Sequence, residues 1–462
     1  MPTPSSTSAP RPAIHVDGVE QPALGADVER IVVDEAVSRP ARCTIRVANQ
    51  PPSPSAPPFP YFGLQAVTFG RRVTVWQGRP PASLIRMFDG RVHQIGGAFP
   101  EASPPAFVIG ADDGLAEFRS RARTRMFEQM SDAAMIAAIA GAHGLTVDLR
   151  LTQPQPVHAV TAQLNQSDAA FVADRLAAIG AGMWIDQGSL VVSDGGGDGA
   201  PTLTYRQDLL DFTVAADLAG QRTGVGVSGW DPRGKQVILA SASDADLPAG
   251  EGGDGSGPRV LEQSLGAAVE LSVDEAPATT DAARALALAH LRARASRFIA
   301  GRGVATGAVA LRAGGTVTLS GLGGLFSGAY QVAAVRHEFT PDDGWRTTFE
   351  VRRPRSGPVD HADRFEETPH AVRDHRSAAT GGGCTLLAPA AAPPRADSAE
   401  PHGLPVRVVA GTLVRRLRGP RHRQPGRRGP RAAARPPAVG ARRRQRHQRR
   451  TATSRPGRGW PR

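Results

Sequence analysis

Apolar and polar positions alternate with a period of two through much of the first hundred residues. Cys43, Ile45 and Val47 interleave with Thr44 and Arg46, and Val73 and Val75 with Arg72 and Thr74. That is the pattern of strands buried on one face. Phe88 to Ile95 and Ala106 to Ile109 supply further strands, while Pro51 to Pro60 holds six prolines in ten residues and must be a loop. From about residue 113 the period lengthens. Ser131 reads as an N-cap with Asp132 favourable at the helix start, and Met135, Ile136, Ile139 and Ala140 follow at helical spacing before Gly144 stops the turn. Ser167 and Asp168 open a second helix of the same design, with Phe171, Val172, Leu176 and Ile179 inside and Gly180 at the end. Met183 to Asp186 and Ser189 to Val192 then form a hairpin around Gln187-Gly188.

Residues 200–355 return to strands, with one long helix near Thr280 to Phe298. Its apolar stripe is Leu288, Leu291, Ala295 and Phe298. Arg292, Arg294 and Arg297 are read as a solvated face in preference to a polyanion patch. Thr316 to Ser320, Gly328 to Arg336 and Arg346 to Val351 are strands separated by glycine turns. The fold class is therefore mainly β with an inserted α+β domain. The segments are a disordered 1–12, a β domain over 13–112, the insertion over 113–199, a second β domain over 200–355, a linker over 356–400 and an Arg/Pro-rich 401–462.

Charge changes the picture once it is located. The chain carries a net +12, but residues 401–462 alone contain 19 arginines and no lysine or acidic residue. Without them 36 basic residues face 43 acidic ones, so the folded body is mildly acidic and gives no footprint for a phosphate backbone. Residues 401–462 lack Ile, Met, Phe and Tyr and cannot bury enough apolar surface to order themselves, so a disordered tail is expected. A shift of reading frame near residue 404 in a G/C-rich gene would yield this mixture; a basic arm for nucleic acid or for an anionic membrane are the functional readings. Residues 1–12 lack the apolar core of a secretory signal, and no run of 18 apolar residues predicts a membrane span.

Catalytic patterns are scarce: the chain has no G-x-x-x-x-G-K-[ST], G-x-S-x-G or H-E-x-x-H. Gly321-Leu322-Gly323-Gly324 falls between strands and reads as a turn. Two acidic glycine-rich loops, Asp194 to Gly199 and Glu251 to Gly257, lack the tandem repetition of stacked calcium sites and are read as exposed hairpin loops. Asp112-Asp113 and Glu366-Glu367 are neighbours that point to opposite faces of an extended chain, so neither makes a facing acid/base couple. His337 reads as a hydrogen-bonded structural position; His361, His370 and His375 lie in the linker. Cys43 and Cys384 are read as one buried and one incidental thiol, and five tryptophans with three tyrosines are too few for a stacking surface. No catalytic, cofactor-binding or metal-ligating residue is assigned, and no cofactor is implied.

Several blocks, taken in order, resemble the family of VgrG proteins, phage late-control D proteins and spikes of contractile injection particles. They are Met87-Phe88-Asp89-Gly90-Arg91-Val92, then Arg125 to Asp132, Ile139 to Leu145, and the most specific, Gln163 to Leu176, in which Ala169 stands where the family usually has tryptophan. Ser228-Gly229-Trp230-Asp231-Pro232 is similar to the family's G-W-D turn, and Gly328 to Val332 with Gly344 to Phe349 to its closing hairpin. The resemblance covers about 85–355. It implies two β-barrel-like hub domains per chain and a homotrimer whose six such domains match a six-fold tail tube. Implied partners are the tube protein, other baseplate proteins, and a spike or tip/effector protein. No small-molecule substrate is implied, and nucleic acid is not expected as a partner. The implied role is that of a non-enzymatic baseplate hub joining tube to spike, assembled in the cytoplasm and then carried in a phage-tail-like particle. His402-Gly403-Leu404 is similar to the start of the family's next barrel, after which the sequence departs. The alternatives are a tail-associated peptidoglycan hydrolase and a nucleic-acid-binding protein acting through residues 401–462.

Overall fold

The structure, a computed structural model, describes residues 11–50, 59–77, 85–153, 155–196, 201–273 and 275–357. The expectations for residues 1–10, 51–58, 358–462 and the end of the first acidic loop (197–200) fall outside them. The first β segment gives β1 (Ala13–Val16), β2 (Val19–Glu20), β3 (Val28–Ala36), β4 (Arg42–Ala48), β5 (Arg72–Gln77), β6 (Ile85–Ala98) and β7 (Ala106–Asp112), with a short helix α1 (Pro22–Ala26) after β2. Along β4 the alternation seen in the sequence is realised: Cys43, Ile45 and Val47 are wholly buried, and Thr44 and Arg46 are not.

The middle segment gives β8 (Ala122–Ser131), α2 (Asp132–Ala142), β9 (Thr146–Arg150), β10 (Val157–Ser167), α3 (Asp168–Ala178), β11 (Gly182–Asp186) and β12 (Ser189–Ser193). Both expected caps are made: Ser131 Oγ accepts the Ala134 N–H at 3.3 Å, and Ser167 Oγ accepts that of Ala170 at 3.2 Å. Ser167→Ala should lower the unfolding free energy by about 1 kcal/mol, read as a shifted urea midpoint at unchanged slope. The β11–β12 turn has φ of 48° at Gln187 and 91° at Gly188, two left-handed residues in succession as a tight hairpin requires. Here α2 and α3 pack with β9, β11 and β12 around Phe118, Met135, Ile139, Phe171, Leu176 and Leu190. The ribbon of β8 and β10 lends Phe127, whose ring stacks on Phe171 at 5.4 Å.

The last segment gives β13 (Thr202–Thr204), β14 (Leu209–Ala216), β15 (Gly224–Asp231), β16 (Gln236–Ser243), α4 (Gly257–Leu265), β17 (Val269–Ser272), α5 (Thr280–Ala295), β18 (Ile299–Thr306), β19 (Thr316–Ser320), α6 (Gly323–Phe326), β20 (Gly328–Thr340) and β21 (Gly344–Arg353). The long helix stops at Ala295, three residues short of Phe298, which is buried instead in a core with Leu203, Leu209 and Ile299. β15, β16 and β17 form a separate three-stranded sheet; Val225, Val227 and Ile238 on one face of it pack against Ala283, Ala287 and Leu291 of α5.

The architecture is thus mainly β with interspersed helices. Strands from both ends of the described chain join in one 13-stranded sheet, whose path runs β14-β18-β21-β20-β3-β4-β7-β6-β5-β1-β2 with β13 and β19 beside it. Among the described residues this path is open and closes into no ring, so the strands expected in two barrel-like domains share one ladder. The join is antiparallel pairing of β3 with β20, with Ile31 opposite Phe339 and Val33 opposite His337. Phe339 and Trp345 then complete the core built on Ile14, Ile31, Ile45 and Ile109. Trp184 of the middle segment lies over Gly314, where φ is +83° and an added Cβ would come 2.4 Å from the indole, so only glycine fits.

Candidate functional site

Arg292 departs most from the sequence reading. Its side chain is buried, contrary to the solvated face expected, and both acidic loops converge on it. Nε donates to Glu251 Oε2 at 2.9 Å, while Nη2 donates to Glu251 Oε1 at 2.5 Å and to the Asp194 carbonyl at 2.5 Å. The Asp194 carboxylate, also buried, lies 3.6 Å away and accepts the Thr152 N–H and hydroxyl, each at 2.9 Å. Burial opposes the charge on Arg292, but Glu251 and Asp194 outweigh it and its pKa is raised. The loops read as exposed hairpins are therefore pinned, because one planar guanidinium can serve two acceptors at once. The signal was present: Leu288, Arg292 and Ala295 share the i, i+4, i+7 spacing of the buried stripe. Arg294 pairs with Glu270, and Arg297 is exposed.

The sequence assigns Asp132 to the helix dipole and Asp168, with Ser167, to the start of the next helix, and the structure gives both a further part. Each is buried and held by several elements of the middle segment, Asp132 from β10 and α3 and Asp168 from β8, β10 and the end of α2. Asp132 accepts from His158 Nε2 at 2.9 Å and Arg175 Nη1 at 3.3 Å. Asp168 accepts from His143 Nε2 at 2.9 Å, Arg125 Nη2 at 2.5 Å and Gln163 Nε2 at 2.9 Å. Burial pushes the Asp168 carboxyl up, but Gln163, His143, Arg125 and Arg123 win and its pKa is lowered. Gln163, Asp168 and Arg175 belong to the most specific block of the sequence resemblance, and the Arg175–Asp132 contact ties α3 to α2.

His337 is wholly buried, as its reading as a structural residue requires. A carbonyl can only accept, so Nε2–H donates to Leu311 O at 3.0 Å and the Thr347 hydroxyl donates to Nδ1 at 3.0 Å. Burial, and secondarily Arg312, depress its pKa to about 3. Asp112 and Asp113 do point apart: Asp112 meets Arg42 at 2.9 Å and His93 at 3.2 Å, whereas buried Asp113 accepts the Leu115 N–H at 3.0 Å. Burial raises the Asp113 carboxyl to about 7. Cys43 is a free buried thiol, and Gly321 to Gly324 does serve the β19–β20 connection.

Two clefts open between these parts. The smaller, about 640 Å³, has Glu35, Asp89 and Asp112 on its wall beside Asp113, and these three are engaged by Arg312, Arg72 and Arg42. The larger, about 2050 Å³, lies between α3, α5 and the face of β14, β18 and β21 that carries Asp211, Arg302, Glu350 and Arg352. Its guanidiniums offer charge without proton transfer near neutrality, and its imidazole, His290, lies 3.3 Å from Glu275. Among the described residues no three His, Cys, Asp or Glu side chains converge as metal ligands, and no helix is long and apolar enough to cross a membrane.

The arrangement of strands is that of phage tail proteins. The 43 kDa tail protein of prophage MuSo2 from Shewanella oneidensis superposes with a TM-score of 0.55 at 12% identity, over 74% of this chain and 98% of that one. A tail protein from Neisseria meningitidis MC58 does so with a TM-score of 0.53 at 14% identity, over 74% and 96%. At such identities the fold is what is shared. No curated protein matches the sequence. The family model of the Alg8 N-terminal domain matches residues 7–341, and the chain belongs to that family.

Proposed function

We propose that this chain is a structural baseplate hub of a contractile injection system, joining a tail tube to a spike, and that it works without catalysing a reaction. The observation that carries this reading is the single ladder through β3 and β20, which holds two β segments rigidly side by side in a fold shared with phage tail proteins. In the proposed assembly residues 13–112 and 200–355 are the two barrel-like hub units, residues 113–199 are an insertion on their flank, and 356–400 link to the tail at 401–462. Three copies would then present six similar units to a six-fold tube, as a closed ring of head-to-tail contacts. The proposed partners are the tube protein, neighbouring baseplate proteins and a spike or tip. The side chains support a mechanical role: Arg292, Asp132, Asp168 and His337 each fasten one element to another.

Light scattering on the purified full chain tests it. A mass of three chains, and co-purification with a tube protein expressed beside it, are the expected results. A strictly one-chain particle that ignores tube protein at micromolar concentrations would remove the reading.

A further inference from the structure

Two apolar faces of the molecule carry no partner among the described residues. One is the outer face of the three-stranded sheet. Its central strand β15 presents Gly224, Gly226 and Ser228 there, flanked by Val237 and Leu239 on β16 and by Val269 and Leu271 on β17. Those four large side chains are between 59% and 72% exposed. Val269 and Leu271 wall Gly224 and Gly226 on one side, with Ser243 and Ser241 opposite, while Leu239 walls Ser228 on the other side and Trp230 beside Val237 closes that end. The face is a shallow trough whose two walls are offset along the strand, in rows roughly 10 Å apart. The other face lies on the β8–β10 ribbon, where Met126 sits opposite Ala162 and is joined by Val160 and Leu164. Met126, Val160 and Leu164 are 63%, 54% and 68% exposed. Their two rows, about 5 Å apart, make a ridge narrower than the trough.

We infer that the ridge of one copy of this chain seats in the trough of the next, forming the seam of the ring. The inference rests on the ring assembly proposed above and names the surfaces that make it. A closed ring of identical chains needs two unlike, complementary patches on every copy, and these two differ in shape as such a contact demands. With Trp230 and Val273 the trough exposes on the order of 600 Å² of apolar surface, at the upper end of the largest patch on an ordinary monomer and near the roughly 800 Å² per partner of a stable interface. Charge agrees: Arg233 and Lys235 stand exposed at the turn closing one end of the trough, and Glu128 stands exposed beside Val160 on the ridge.

Two variants of the full chain test the seam, Leu239→Glu with Leu271→Glu in the trough and Met126→Glu with Leu164→Glu on the ridge. Wild type should have a mass of three chains, and each variant alone should fall threefold to one chain. An equal mixture of the two should yield two-chain particles, because one intact ridge meets one intact trough and growth stops there. A milder pair guards against misfolding: Glu128→Lys should weaken the wild-type ring, and adding Lys235→Glu should restore it. Variants that keep the three-chain mass, or a mixture of folded variants that stays at one chain, overturn the seam while leaving the ring reading intact. A wild type of one chain overturns the ring reading itself.

Discussion

Arg292→Met is expected to lower the free energy of unfolding by about 3–5 kcal/mol, the usual cost of removing one member of a buried ion pair and stranding the other. Methionine fills similar volume, so the loss reports lost pairing more than a cavity. The reason lies in what the guanidinium joins. Glu251 precedes α4, Asp194 follows β12, and Arg292 comes from α5, so one side chain holds the middle segment to the last. Arg292→Lys should rescue less than half, because a single ammonium cannot reproduce the fork that serves Glu251 and the Asp194 carbonyl together. Chemical denaturation gives the answer directly: a loss under about 1 kcal/mol would mean that the pairing contributes no more than an exposed salt bridge.

Acid dependence should expose two opposed groups. His337 has a folded pKa of about 3 against 6.5 unfolded, so as pH falls from 6.5 the unfolded chain takes up a proton that the folded chain refuses, and stability is lost. Asp113 has a folded pKa of about 7 against 3.8 unfolded, so over most of the same range the folded chain takes up the extra proton and stability is gained. Their contributions offset one another between about pH 6.5 and 4. Asp113→Asn, which keeps the acceptor for Leu115, should leave His337 unopposed and lose about 1.4 kcal/mol per unit of acidification. His337→Gln should reverse the sign and gain stability at a similar rate. Urea midpoints collected from pH 7 to 4.5 check both, above the range where ordinary carboxylates protonate. Parallel curves for the two variants would end this account.

The helices of the middle segment and most strands could be read from the chain because their signals are local. Ser131 and Ser167 lie next to the helices they cap, and Cys43, Ile45 and Val47 declare their own face. What could not be read depends on partners far away in sequence. Nothing near Glu251 announces Arg292, and nothing near Ile31 announces Phe339, because each pairing is decided by packing of distant elements. The merging of two expected barrel-like units into one ladder is of the same kind. A strand states which of its faces is apolar but not which edge it will join. The trough escaped notice for a different reason: Val237, Leu239, Val269 and Leu271 look like core residues in any pattern, and only the fold reveals that their face is open.

The pairing of β3 with β20 also sets an order of events during synthesis. Val28–Ala36 leaves the ribosome some 300 residues before Gly328–Thr340. Until that late hairpin emerges, one edge of the early strand has bare N–H and C=O groups, and the first core lacks Phe339 and Trp345. The nascent chain must therefore wait, sticky along one border, for its own distant end. A product cut short before residue 328 is left with that border open and should aggregate more readily than the full chain, which sedimentation of the two translated side by side would check.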